Sequence, residues 1–121
     1  MGNGLATSGE DAERARDVLA RVLLATEALI AGRGALKWRL LLTFESIAPL
    51  RASDFPSSAR APFEDFHSIM TSAPSISGGI GKARSTVHVM KGPTASKAAR
   101  AFVLLHEAVV CALSEHREEA E

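Results

Sequence analysis

Cysteine is nearly absent: Cys111 is the only one in 121 residues, so no internal disulfide can form and nothing in the composition points to an oxidising compartment. Tyrosine is missing altogether, and one Trp with five Phe gives an aromatic content of only 5%, which leaves little with which to stack bases or sugar rings. Neither sign of charge is in surplus, with 14 Lys and Arg against 14 Asp and Glu. That balance argues against a protein whose main work is neutralising a nucleic-acid backbone. Long apolar runs are missing too: the longest, Ala101 to Leu113, contains His106 and Glu107 and is too short to span a bilayer. The opening MGNGLATSGED has neither the basic nor the apolar region of a signal peptide, and Ala6 stands where acylation at Gly2 would want Ser or Thr. A cytoplasmic location without membrane attachment is expected.

What is present is the material of one ordinary domain, 46% hydrophobic and 23% charged. A chain of this length can bury about two-thirds of its unfolded surface without a metal or a disulfide staple. Residues 1–7 read as a loose arm. Ser8 reads as a helix N-cap, with Glu10, Asp11 and Glu13 complementing the positive end of the helix dipole. The following helix carries Ala15, Val18, Leu19, Val22, Leu29 and Ile30 on its apolar stripe, and Gly32-Arg33-Gly34 stops it near Ala31 and turns the chain into a helical hairpin. A second helix spans about Ala35 to Ala48, ahead of Pro49. Leu36, Leu40, Phe44 and Ile47 form its inner face, and Trp38, Leu41 and Leu42 lie well round the cylinder, so it is expected to be buried on two sides.

Pro49 to Pro62 reads as a connection, with a short third helix placed after it by Phe63, Phe66 and Met70. Thr71 to Gly81 reads as a loop. In Lys82 to Lys91, Val87 and Val89 alternate like a strand, while Ile80, Ala83, Val87 and Met90 fit one helical face; with no second strand to pair with, a short helix is expected. After Gly92-Pro93, Thr94 reads as the N-cap of a final helix from Ala95 to about His116. That helix has two apolar seams, one through Ala99, Phe102, His106, Val109 and Leu113 and another through Ala101, Leu104, Ala108 and Cys111. Residues 117–121 read as a frayed acidic tail. The fold class is therefore all-α, an irregular bundle of four or five helices in a single domain over residues 1–121.

Motifs of known chemistry fail on spacing. GGIGKARS would need Gly at Ile76 and Ser or Thr at Ala83 to be a phosphate loop, and a third Gly at Arg84 to bind a dinucleotide. His106-Glu107 lacks the second His of a zinc helix, since Val110 stands there, and His106 reads as a packed histidine. Cys111 has no cationic neighbour in sequence and reads as a packing thiol. No catalytic residue, cofactor or metal is assigned.

One charge pattern is less neutral. Between Phe66 and His106 there is no Asp or Glu, while Lys82, Arg84, Lys91, Lys97 and Arg100 all fall in that span. Gathered beside a helix start at Thr94, they would hold a phosphate group of a nucleotide or nucleic acid. The expectation placed ahead of this one is an interaction module, a homo-oligomer or a subunit with a protein partner. Its interface would be built from Trp38, Leu41 and Leu42 of the second helix and Leu104, Ala108 and Cys111 of the last.

Two segments, ALIAGRGALKWRL (Ala28 to Leu40) and SDFPSSARAPFEDFHSIM (Ser53 to Met70), resemble small, largely uncharacterised bacterial helical proteins. In those proteins a Gly-x-Gly turn joins two helices and an Asp-Phe-Pro step leads into a third. The likeness rests on Gly32, Gly34, Arg39, Leu40, Asp54, Phe55, Pro56, Phe63, Glu64 and Ile69. It implies an all-helical fold and brings no activity with it.

Overall fold

The computed structural model describes the backbone of residues 3–73 and 79–120 and the side chains of residues 13–73 and 81–114. The fold is all-α, with helices α1 (Asn3–Ala31), α2 (Leu36–Ile47), α3 (Ser57–Met70), α4 (Gly79–Val89) and α5 (Gly92–Ala120), and a 3-10 turn over Ala52–Asp54. Among the described residues there is no strand, and no helix is long and apolar enough to cross a membrane.

The α1–α2 hairpin turns where the glycines stand. Gly34 adopts φ +92°, a region closed to most side chains, and a Cβ on Gly32 would fall onto the Ala28 carbonyl oxygen. Arg39, one turn into α2, reaches back over this corner. Its Nη1 donates to the Leu29 carbonyl at 2.7 Å and its Nε to the Gly34 carbonyl at 3.1 Å. These bonds occupy acceptors that the end of α1 would otherwise leave to water.

Three element starts differ from the sequence expectation, each for a local reason. The backbone of α1 is helical from Asn3, so the expected arm is helical over residues 3–7 and Ser8 lies inside the helix rather than capping it; residues 1 and 2 lie outside the described residues. Helix α3 begins at Ser57, five residues before Pro62. The proline that sets its start is Pro56, which holds Phe55 extended at φ −90° and ψ 153°. Pro62 is then inside the helix, and the carbonyl it leaves unpaired belongs to Ser58, an exposed residue that water can reach. Helix α5 begins at Gly92. The Ala95 N–H donates to the Lys91 carbonyl at 2.9 Å, so Pro93 sits in the first turn, where its missing N–H costs nothing, and Thr94 is a helical residue rather than the cap. The backbone of α5 stays helical to Ala120, and the side chains of the acidic tail lie outside the described residues.

Helix α1 packs chiefly on α2, and α3 on α5; α4 lies against α2 and α3, and α5 also meets α1 and α2. The core runs through all five helices. All five phenylalanines are buried in it and form a connected set: Phe55 to Phe63 (ring centroids 4.6 Å apart), Phe66 to Phe102 (5.5 Å) and Phe66 to Phe44 (6.5 Å), with the His67 ring bridging Phe63 and Phe44. Each inward apolar stripe read from the sequence holds in α2, α3 and α4 for the residues described; the Ile80 side chain lies outside them. In α1 the stripe is Val18, Val22, Ala25 and Leu29, and Ile30 is not part of it: one residue past Leu29 it has rotated by 100° and is 75% exposed.

Two buried threonines are the polar exceptions. Thr43 bonds the Arg39 carbonyl at 2.8 Å. Thr86 donates to the Lys82 carbonyl at 2.8 Å and accepts the Ala73 N–H at 2.9 Å, which ties the chain leaving α3 to α4. No described side-chain nitrogen or oxygen is buried without a partner.

Candidate interaction surface

Large apolar side chains are left exposed on α1 (Leu23, Leu24, Ile30), α2 (Trp38, Leu42), α4 (Val89) and α5 (Val103, Leu104, Val110). Leu24 (60% exposed) and Leu42 (49%) open onto one groove of about 660 Å3 between the two helices, floored by Ala28, Ala31 and Gly32. Leu23 and Ile30, seven residues apart on α1, are also exposed, roughly 100° round the helix from Leu24. The polar rim of the groove is Arg21, Glu27 and Glu45. Arg21 pairs with Asp17 on its own helix at 3.7 Å, and Glu45 pairs with Arg84 of α4 at 3.6 Å. Exposed leucines taken singly are ordinary on a protein surface, whereas two that share a groove with small residues between them make a contiguous patch.

The residues expected at an interface divide. Trp38 is 39% exposed at the α2–α4 edge, its ring meeting His88 edge-on at 5.3 Å between centroids. Leu42, Leu104 and Cys111 are exposed. Leu41 is not available: α2 is flanked by α1 on one side and by α4 and α5 on the other, and Leu41 belongs to the core. Ala108 is partly buried and packs against the core. The second seam of α5 therefore has a buried Ala101, an exposed Leu104 and an exposed Cys111, instead of a neighbour along its whole length.

Three of the basic residues have described neighbours. Arg84 is directed to Glu45 of α2. Lys97 and Arg100 line a smaller groove of about 370 Å3 between α3 and α5, over an apolar floor of Pro62, Ile69, Ala101 and Leu104 and with Asp65 among them. Lys82 and Lys91 are exposed. Thr94, as the third residue of α5, offers no cap for them to surround. His106 is half-buried on its seam without a described hydrogen bond.

Sequence reasoning passed over Leu23 and Leu24 and placed Ile30 inside. The signal was there in the step from Leu29 to Ile30 and in the doublet Leu23-Leu24, since adjacent residues on a helix cannot both face one partner. The ten residues that carry the bacterial resemblance serve here as turn and packing residues where a contact is described: Gly32, Gly34 and Arg39 at the hairpin corner, Phe55 and Phe63 stacked in the core, and Asp54 accepting the Arg51 N–H at 2.8 Å. The chain matches no protein-family model, no curated protein and no solved structure, so the surface of α1 and α2 stands on its geometry alone.

Proposed function

We propose that this chain is a helical interaction module of the cytoplasm that associates with itself or serves as a subunit of a larger assembly, its work being association rather than catalysis. The observation that carries the reading is the groove between α1 and α2, where Leu24 is 60% and Leu42 49% exposed although each sits in a helix whose other face is well packed. Covering such side chains removes apolar area from water at roughly 25 cal/mol per Å2. The polar rim of Arg21, Glu27 and Glu45 around an apolar centre has the layout of a protein interface.

Sedimentation velocity over the micromolar range, run beside a titration with the apolar dye bis-ANS, tests it. The expected result is dye binding at low concentration that falls in a Leu24→Glu/Leu42→Glu variant of unchanged circular dichroism. A chain that binds no dye, and whose dye response is indifferent to those substitutions, refutes the reading.

A further inference from the structure

We infer that the outward face of α5 docks antiparallel on the same face of a second copy, about a two-fold axis between Val103 and Leu104, so that Arg100 of each chain meets Glu107 of the other. This rests on the self-association part of the reading above and places it on a surface apart from the α1–α2 groove. Helix α5 buries Ala98, Phe102, Leu105 and Val109 on one side. On the opposite side Ser96, Arg100, Val103, Glu107 and Val110 step by four and three residues along an exposed strip, with Leu104 and Cys111 beside them. That alternation is the spacing of a helix that has a second helix along its length. Val103 is 48% and Leu104 51% exposed at the middle of the strip, with the two charges on either side of them.

A two-fold interface must be complementary to itself. In an antiparallel helix pair, each position faces the one equally far beyond the axis on the same flank. Arg100 and Glu107 meet that condition. Seven residues apart, they lie on one line along the helix to within about 20°, and the point between Val103 and Leu104 is midway between them. Turning one copy end for end over the other brings two Arg–Glu pairs into register at once. Val103 and Leu104 each meet their own counterpart at the axis, and farther out the small Ser96 falls opposite Cys111. Among the described residues, neither Arg100 nor Glu107 is in an ion pair within its own chain. Parallel docking would set Arg100 on Arg100 and Glu107 on Glu107, and like charges in register repel. A lipid surface would strip water from Glu107 on the strip without a cation to pair it. A second copy supplies both the acid and the base at the places required.

Charge exchange and cross-linking test the register. Arg100→Glu makes both positions acidic and Glu107→Arg makes both basic, so each variant alone should self-associate about tenfold more weakly than the parent, the scale of two pairs turned repulsive. Mixed in equal amounts, the two variants should form a heterodimer close to parental affinity, and the Arg100→Glu/Glu107→Arg double variant should recover the homodimer. Ser96→Cys sets a thiol opposite Cys111 of the second copy, and oxidation with copper phenanthroline should give a disulfide-linked dimer on a non-reducing gel. The parent should not cross-link, because its two Cys111 thiols are about 22 Å apart in this register, the length of fifteen helical residues. The same length separates residues 96 and 111 within one chain, so no internal disulfide competes. All the substituted positions are exposed, and circular dichroism checks that the fold is kept. Singles that associate as tightly as the parent, a mixture that fails to recover, or a parent that cross-links through Cys111 overturns the inference, as does a parent that sediments at 12.8 kDa throughout. In that last case dye binding that falls in the Leu24→Glu/Leu42→Glu variant still upholds the interaction reading, and an absence of dye binding removes both.

Discussion

Replacing Arg39 with Met keeps the aliphatic stem that crosses Gly32 and removes the two bonds that close the hairpin corner. A hydrogen bond from an ionised donor contributes about 1.5–3 kcal/mol, and a partly buried acceptor sits near the middle of that range. The Leu29 bond, at 2.7 Å and partly buried, is assigned about 2 kcal/mol on that scale; the Gly34 bond is exposed and water replaces it at a cost of a few tenths. The sum of roughly 2 kcal/mol corresponds to a fall in Tm of about 8 °C for a chain of this size. Urea unfolding followed by far-UV circular dichroism at one fixed protein concentration measures it, since association would otherwise shift the midpoint. Arg39→Lys should recover less than half of the loss, because a single ammonium reaches one carbonyl and cannot fork between two. Gly32→Ala strikes the same corner from the other side, so combining it with Arg39→Met should cost less than the sum. A loss below about 0.5 kcal/mol for Arg39→Met would show that water serves the end of α1 as well as the guanidinium does, and the account of the corner would fail.

Pro62→Ala restores an N–H toward the Ser58 carbonyl inside α3 and should stabilise the fold by about 1 kcal/mol, less than the full helix penalty of proline because the unfolded chain also gains freedom; a lower urea midpoint would contradict this. Thr86→Val is nearly isosteric but leaves the Ala73 N–H without its acceptor, for a loss of about 1–2 kcal/mol. Hydrogen exchange should show the Ala73 amide deprotected while the amides of α3 around Phe66 keep their protection, and an unchanged Ala73 rate would refute the tie.

The parts of this fold that were legible in the sequence are those decided by a few neighbouring residues. The end of α1 at Ala31 follows from Gly-x-Gly, and the observed α2 differs by one residue at each end from the span bounded by that turn and Pro49. The helical state of α4 followed from the lack of a strand for it to pair with. The start of α3 was misplaced because two prolines competed for one role, and only the extended backbone at Phe55 shows that Pro56 takes it. Exposure was harder still. Periodicity sorts a helix into stripes but does not say how many stripes find a neighbour. Leu41 is covered and Leu24 is not because of where α4 and α5 come to rest, and those positions depend on pairings far apart in the chain.

The pairing of α3 with α5, across the whole of α4, has a consequence for how the chain emerges from a ribosome. The α1–α2 hairpin can close as soon as residue 47 is free, because its turn is four residues long and its contacts are local. Phe44 cannot be sealed then: Phe66, whose ring meets it, and Phe102, whose ring meets Phe66, are translated tens of residues later. During that interval the nascent chain presents an ordered hairpin beside an open aromatic pocket, the kind of species that sticks to others or is held by a chaperone. Slow translation just ahead of α5 would lengthen the exposure, and a variant that weakens only α5 would accumulate as this half-built form.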